Sequence, residues 1–405
     1  MEETQRSLPP VECSPTQQVA SLILERAMSR WQEFRRLMPI AENWAYFDHA
    51  AVAPLSGPAR QAIHAWTNQA AEAGDSAWSG WASRIETVRR IVAQVIAANP
   101  TEVALVPNTT SGINLVAEGF PWQSGDNIVT LANEFPSNLY PWMQLADRGV
   151  ETRRVPVDVA VDMNRIADAC DERTRIVSVS WVGYATGWRV DIDQLVRVAH
   201  DHSALLFLDA IQGLGVFPLD VQRTPIDFLA ADVQTWLLGP EGAGIFYIRN
   251  EHLDLLRPLG LGWNSVVHAH DFANIDLNLR PEAARYEGGS QNMVGFHGLG
   301  ASLEMLVEFG LSSASSAIAD RIHEIGDYAC QRLAEIGARI VSERQDLCWS
   351  GIVAFDMPGR DLDVLRAECL RHNIALSCRD GFLRIAPHAY VNKDDVERLI
   401  SVLAR

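Results

Sequence analysis

Short apolar runs alternate with helical stretches along most of the chain, and this alternation constrains the fold more than any other feature. The runs lie at 103–107, 127–132, 175–182 and 204–210, and an amphipathic helical pattern at 192–202 separates the last two. Strands that are apolar on both faces and separated by helices are typical of a mainly parallel sheet with helices on both sides. The pattern therefore predicts an α/β protein.

The same pattern divides the chain into four segments. Residues 1–20 are rich in Pro, Ser and Gln and are expected to form a flexible arm. Residues 21–45 begin with helical apolar spacing and are expected to pack on the smaller domain. Residues 46–297 carry the strand–helix alternation of a large domain. Residues 298–405 start with a long helical pattern, continue with short strands, and predict a small α+β domain.

Composition excludes several classes of function. The net charge is −17, from 51 acidic and 34 basic residues, which argues against nucleic acid or an anionic membrane as the main partner. The six cysteines form no C-x-x-C pair, so neither a disulfide framework nor a zinc site is expected, and no metal is predicted. The polar N-terminus and the lack of a long apolar run predict a cytoplasmic protein. Lys393 is the only lysine among the 34 bases.

Three loops that follow apolar runs carry polar residues, and in parallel sheets ligands bind at this edge. Residues 108–112 (NTTSG) open a helix and could bind an anion or simply cap that helix. Asp209 ends a buried run and could meet a cation or cap the next turn. Residues 231–244 contain a Gly/Pro cluster that marks a tight turn, which could be no more than a hairpin.

Together, several segments resemble the class V aminotransferase family of pyridoxal-phosphate (PLP) enzymes, which includes cysteine desulfurases and isopenicillin-N-epimerase-like proteins. The resemblance spans about residues 40–400. It implies PLP fold type I and a homodimer. The segments that carry it, in order, are YFDHAAVAPLS (46–56), NTTSGIN (108–114), FLDAIQGLGVFPLDV (207–221), WLLGPEGAGIFYI (236–248), YEGGSQN (286–292) and LRIAPHAYVN (383–392).

The resemblance implies cofactor contacts in the large domain. Thr109, Thr110 and Ser111 would hold the cofactor phosphate at the start of a helix. Phe135 falls where the family places a ring stacked on the pyridine. Asp209 would pair with the protonated pyridine nitrogen, the contact that makes the ring an electron sink.

Further roles follow from the same resemblance. Gln212 would face the phenolic oxygen of the cofactor, and Gln234 stands where the family has a histidine that contacts the cofactor. Ser290 resembles the residue that the partner subunit of a dimer contributes to the phosphate. Arg384 resembles the arginine that binds a substrate carboxylate, and His49 is assigned to substrate binding beside it.

One departure from the family bears directly on the chemistry. The family has a lysine before the W-L-x-G-P segment, and this lysine forms the Schiff base with PLP. Thr235 stands at that position, and Val233 replaces a small residue. Lys393 lies among acidic residues at the start of the last helix and is expected to be solvated. The two adjacent departures Gln234 and Thr235, together with Val233, favour natural divergence over deliberate inactivation.

The resemblance to cysteine desulfurases meets a second departure. Those enzymes carry a nucleophilic cysteine on a loop ahead of the carboxylate-binding arginine. The nearest cysteine, Cys378, lies within an apparent strand six residues before Arg384. A half-buried structural thiol is expected there, so desulfurase activity is not predicted.

Three hypotheses about function follow. The first is non-covalent binding of PLP, pyridoxamine phosphate (PMP) or a PLP–amino acid adduct without standard Schiff-base catalysis. The second is PLP-independent catalysis on a small carboxylate anchored by Arg384, with Glu134, His49 or His388 as acid–base groups. The third is a non-catalytic pseudoenzyme that acts through its dimer surface. Any catalysis is expected to be of the lyase, epimerase or transferase type.

Overall fold

A computed structural model describes residues 29–158 and 160–405. The predicted arm at 1–20 and the first part of the predicted segment 21–45 lie outside these ranges. The α/β class with a mainly parallel sheet is confirmed.

Helices and strands alternate through the first two thirds of the described chain. The helices are α1 (29–36), α2 (Gly57–Glu72), α3 (Trp78–Val95), α4 (Thr109–Gly119), α5 (Tyr140–Met143), α6 (Met163–Ala169), α7 (Ile192–Asp201), α8 (Met293–Glu308), α9 (Ala317–Glu335), α10 (Leu362–Arg371) and α11 (Lys393–Leu403). The strands are β1 (Ala45–Tyr46), β2 (Val103–Val106), β3 (Asn127–Leu131), β4 (Glu151–Val155), β5 (Thr174–Ser180), β6 (Leu205–Asp209), β7 (Phe228–Asp232), β8 (Gly244–Ile248), β9 (Arg339–Ile340), β10 (Val353–Asp356), β11 (Ile374–Ala375), β12 (Ser377–Arg379) and β13 (Phe382–Ile385).

The central sheet has seven strands in the order β2-β8-β7-β6-β5-β3-β4. Neighbouring strands from β7 to β4 run parallel, whereas β8 is antiparallel to both β7 and β2. The carboxyl ends of β3, β5, β6 and β7 therefore meet at one edge of the sheet. Loops that leave this edge carry the polar residues singled out above.

Alternating side chains of the central strands enter two separate cores, one on each face of the sheet. In β6, Leu206 and Leu208 join one core and Phe207 joins the other; in β7, Leu229 and Phe228 divide in the same way. Side chains alternate across a strand, so a sheet covered on both faces needs apolar residues at every position. This requirement explains the unbroken apolar runs.

The C-terminal part forms a four-stranded sheet in the order β12-β13-β10-β9, and β11 pairs instead with β1. Helix α8 begins at Met293, ahead of the predicted boundary at 298, which stays a prediction. Helix α1 contacts this part of the chain: the Phe34 ring stacks on Phe309 with centroids 4.7 Å apart, and Arg35 pairs with Asp395 at 2.6 Å.

Among the described residues, no helix is both long and apolar enough to span a membrane.

Candidate functional site

The carboxyl edge of the central sheet gathers three acidic side chains. Glu134 follows β3, Asp209 ends β6 and Asp232 ends β7. Glu134 and Asp209 are almost fully buried, and Asp232 is partly exposed. The site is thus built from residues that the parallel topology brings to one edge.

Asp209 and Glu134 form a buried carboxyl pair. Asp209 accepts a hydrogen bond from the backbone N–H of Ile211 at 3.1 Å. The pKa of Asp209 is raised to about 8, chiefly by burial and also by the charges of Glu134 and Asp232, while the hydrogen bond from the Ile211 N–H lowers it. Glu134 accepts hydrogen bonds from both the N–H and the hydroxyl of Ser180, yet burial raises its pKa to about 7. At neutral pH this pair therefore retains protons that ordinary carboxyl groups have lost.

The N-terminus of α4, predicted to bind phosphate, is hydrogen-bonded to side chains of the chain itself. Asn108 is the N-cap, and its Oδ1 accepts from both the N–H and the hydroxyl of Ser111 at 2.8 Å. The N–H of Thr109 donates to Asp232 Oδ1 at 2.5 Å. The Thr110 hydroxyl donates to Ser137 Oγ at 2.9 Å. Each of the three residues predicted to bind phosphate thus has at least one group hydrogen-bonded within the protein, although the buried Thr109 hydroxyl has no partner among the described residues.

Asp232 also joins this helix to the turn that follows β7. Its second oxygen, Oδ2, accepts from Gln234 Nε2 at 3.1 Å. Gln234, predicted to contact the cofactor, therefore contacts the same carboxylate as Thr109. In the sequence, Asp232 lies within the segment 231–244 that marks a tight turn, and no role was predicted for it. Its one signal was its position at the end of a strand, the same position that singled out Asp209.

The position expected to hold lysine is occupied by a buried threonine. The Thr235 hydroxyl donates to the carbonyl of Ile211 at 2.9 Å. The side-chain amide of Gln212 is also hydrogen-bonded to protein groups. Its Nε2 donates to the Ala50 carbonyl at 2.9 Å, and its Oε1 accepts from the Trp236 indole at 2.8 Å. Gln212 thus braces the turn, and its side-chain amide is occupied by protein partners rather than open to a ligand.

Lys393 is remote from these residues in the chain and in the fold. It opens α11 in the C-terminal part, where its ammonium lies 5.0 Å from the ring centroid of Tyr328.

Phe135 offers an aromatic surface at the mouth of the site. It is 49 % exposed, and its ring meets the edge of Tyr184 with centroids 5.4 Å apart. A half-exposed phenylalanine can stack on a flat ligand, so its geometry is compatible with the predicted role.

Arg384 is enclosed by protein acceptors. It is 1 % exposed, its Nε donates to Ser377 Oγ and its Nη2 to Asp48 Oδ1, both at 3.1 Å. Its Nη1 donates to the carbonyl of Tyr184. A guanidinium that already has a carboxylate partner is not free to bind a second one, so this geometry gives no support to the predicted substrate contact.

His49 occupies a core position. It is fully buried, its Nδ1 lies 2.8 Å from the Ala386 carbonyl and its Nε2 lies 2.9 Å from the Tyr390 hydroxyl. His388 packs against it with ring centroids 5.4 Å apart, and burial lowers the pKa of His388 to about 4. This environment is that of a neutral core histidine and gives the assignment of His49 to substrate binding no support.

Ser290 lies apart from the carboxyl cluster, on an exposed turn. It shares a cavity of about 710 Å³ with Ser111. The turn is fixed by buried Glu287, which accepts from the Leu105 N–H at 2.7 Å and pairs with Arg89. The structure therefore brings Ser290 towards the start of α4 from within the same chain.

Comparison with known proteins gives consistent results. The sequence family described as aminotransferase class-V matches residues 45–399. A probable cysteine desulfurase of Methanothermobacter thermautotrophicus is 30 % identical, and the alignment covers 91 % of this chain and 96 % of that protein. The cysteine desulfurase CsdA of Escherichia coli is 29 % identical over 80 % of this chain and 83 % of its own.

Solved structures agree in fold. A mutant of the enzyme C-DES, solved with glycine covalently linked to its PLP cofactor, has a TM-score of 0.85 at 21 % identity and covers 91 % of this chain and 98 % of its own. The apo cysteine desulfurase of Thermococcus onnurineus has a TM-score of 0.82 at 24 % identity, covering 91 % and 96 %. These identities establish the shared fold, that of PLP fold type I.

Proposed function

The chain belongs to the class V aminotransferase family, and from this premise we propose that it binds a small ligand non-covalently and has lost Schiff-base chemistry. The observation that carries the proposal is the environment of Thr235. Its hydroxyl is buried and donates to a backbone carbonyl, so it is neither an amine nor a free nucleophile. The only lysine of the chain opens α11, outside the site.

The residues of the site fit the pyridine ring of the family cofactor PLP but not its phosphate. Buried Asp209 and half-exposed Phe135 suit a flat ring that carries positive charge. The phosphate has no comparable place, because the Thr109 N–H already donates to Asp232. Intact PLP therefore does not fit this site as it stands, and no step is assigned to it.

A second candidate function is PLP-independent acid–base catalysis, and one observation favours it. Glu134 and Asp209 have pKa values raised by burial to about 7 and about 8, a range suited to proton transfer at neutral pH. An active protein would convert an added amino acid, and Glu134→Gln would abolish the conversion. No turnover in a screen of amino acids by mass spectrometry would exclude this candidate.

Cysteine desulfurase activity is not part of the proposal. Cys378 lies in β12, paired with Leu383 of β13, and burial raises the pKa of its thiol. A thiol held in a strand with a raised pKa makes a poor nucleophile. We expect no alanine or persulfide to form when the protein is incubated with cysteine.

The homodimer expected from the family is also proposed. Large apolar side chains are exposed along one segment that precedes the Ser290 turn, and a partner subunit would cover them. They are Leu261, Trp263, Val267, Phe272, Ile275 and Leu277. In such a dimer the Ser290 turn would reach the partner's site.

The test of non-covalent binding uses pyridoxal, which carries the reactive aldehyde but no phosphate. The protein is incubated with pyridoxal and reduced with borohydride, and its intact mass is measured by mass spectrometry. We expect no added mass at the site, although pyridoxal alters the tryptophan fluorescence. A Lys393→Arg variant removes the only lysine and serves as control. No change in tryptophan fluorescence on addition of pyridoxal would refute the proposed binding, and a reduced adduct that peptide mapping places at the carboxyl edge of the sheet would refute its non-covalent nature.

A further inference from the structure

The N-terminus of α4 is built to hold an anion, and the chain supplies that anion itself. The first N–H groups of a helix have no partner within it and carry partial positive charge. At α4 the Thr109 N–H is accepted by Asp232 Oδ1 at 2.5 Å, and the Ser111 N–H by the Asn108 cap at 2.8 Å. A ligand anion would have to displace a carboxylate from this place.

Asp232 is held there from two sides. It ends β7, where it is paired with Gly244 of β8, and this pairing sets its direction. Its Oδ2 accepts from Gln234 Nε2 at 3.1 Å while Oδ1 accepts from Thr109. Burial raises the pKa of Asp232, whereas the Gln234 and Thr109 donors lower it. Two N–H donors on two oxygens form the hydrogen-bond pattern of an ionised carboxylate.

The other charges at this edge of the sheet have the same sign. Glu134 and Asp232 are the charged groups that act on Asp209, and both are acidic. Arg384, the cation predicted for the site, already pairs with Asp48. Within the described residues no basic side chain is among the groups that act on Asp209, and a positively charged ligand would favour the ionised form of the carboxyl cluster.

We propose that Asp232 is the specificity-determining residue of this pocket: as a resident anion at the start of α4 it rejects phosphorylated ligands, so the pocket takes a cationic ring or amine without a phosphate. This inference rests on the proposed non-covalent site and names its ligand class. Asp232 acts by contact with Thr109 and Gln234 and by repulsion of a second anion at the same N–H groups.

Pyridoxamine and PMP form a matched pair of probes, because they differ only by the phosphate. Neither carries an aldehyde, so neither can form an imine with the protein. Isothermal titration at about pH 8 keeps ordinary carboxylates ionised. We expect the natural protein to bind pyridoxamine at least about tenfold more tightly than PMP, since like charges in contact cost this much or more.

Asp232→Ser removes the resident anion and should abolish the preference for pyridoxamine over PMP. PMP affinity is expected to rise by about tenfold or more, while pyridoxamine affinity changes by less than about threefold. Asp232→Asn keeps the shape of the side chain and removes its charge, so it replaces the serine variant if the latter does not fold. Glu241→Ser is the charge-matched control, since Glu241 is an exposed carboxylate that acts on Asp232 through its charge alone.

Two results would overturn the inference. One is natural protein that binds PMP as tightly as pyridoxamine or more so. The other is an Asp232 variant that gains no affinity for PMP, or a gain that Glu241→Ser reproduces in full. Failure of the non-covalent proposal would look different, because it appears as an adduct of pyridoxal after borohydride reduction.

Discussion

Replacing Asp209 with asparagine should stabilise the protein, and the gain should grow with pH. Asp209 is 2 % exposed and accepts one backbone N–H, and the side-chain charges that act on it are negative. Its pKa is about 8 in the folded state and near 4 in the unfolded chain. Asparagine has nearly the same shape and no charge to bury.

The magnitude follows from linkage between proton binding and folding. Between pH 4 and pH 8 the unfolded chain has released the Asp209 proton and the folded protein retains it, so rising pH favours unfolding. A difference of about 4 pKa units corresponds to about 5 kcal/mol of lost stability above pH 8. Below pH 4 both states are protonated and the loss vanishes. Asp209→Asn removes this loss.

Urea unfolding followed by tryptophan fluorescence, repeated from pH 5 to pH 9, measures the effect. We expect the stability difference between Asp209→Asn and the natural protein to grow by several kcal/mol over this range. Asp147→Asn is the matched control, since Asp147 is an exposed aspartate and should give a flat difference. If the free energy of unfolding changed with pH in the same way for Asp209→Asn and the natural protein, the burial of Asp209 with a raised pKa would be refuted.

Three further outcomes test other parts of the structure. Arg384→Met should lower the free energy of unfolding by about 3 kcal/mol with or without a carboxylate ligand, because it leaves the Asp48 carboxylate without its cationic partner; unchanged urea curves would contradict this. Relative to His388→Asn, the natural protein should lose about 3 kcal/mol of stability as pH drops from 6.5 through 4, because buried His388 stays neutral until its pKa of about 4 while the unfolded histidine gains a proton; parallel pH profiles for the two proteins would contradict the assignment. Ile275→Asp, at a side chain 91 % exposed, should convert the dimer to monomer by analytical ultracentrifugation, whereas Val364→Asp on α10 should not; a monomeric natural protein would refute the dimer.

The fold was largely predictable because its central strands are apolar on both faces. Strand β4 was missed for the opposite reason: its sequence, ETRRV, is mostly charged and lies at the edge of the sheet, where one side of the strand has no neighbour. The apparent strand that contains Cys378 is β12, and the short strand β11 just before it is separate, because the chain changes partner from β1 to β13 between them. Changes of partner leave no mark in apolar spacing.

The site was predictable only in its positions. Polar residues at the ends of buried strands identified Asp209 and the turn at 108–112. The sequence could not reveal which side chains satisfy one another, since Thr109 and Asp232 are 123 residues apart and Asp48 and Arg384 are 336 apart. Arg384 and Thr109 were predicted to contact ligands, and the structure adds that each donates to a carboxylate of the chain, so their ligand contacts stay predictions.

Two features of the site, Asp232 at the start of α4 and Thr235 at the expected lysine position, bear on the same proposal, that the chain has lost Schiff-base chemistry. A helix N-terminus that no longer receives a phosphate would keep unpaired N–H groups, and a resident carboxylate satisfies them. Asp232 would therefore stabilise the protein when no phosphorylated ligand is bound, and it would hinder the binding of a phosphorylated ligand. The two positions should therefore be coupled in any attempt to restore covalent attachment.

A double-mutant cycle tests that coupling. Thr235→Lys supplies an amine, but the Asp232 carboxylate still occupies the N-terminus of α4. Little borohydride-trapped adduct with PLP is therefore expected. Asp232→Ser frees the N-terminus of α4 for a phosphate but supplies no amine. The double variant should yield much more adduct than the sum of the two, whereas with pyridoxal, which has no phosphate, Thr235→Lys alone should suffice. Additive yields with PLP would mean that Asp232 does not control access of the phosphate, because the two positions would then act on separate steps.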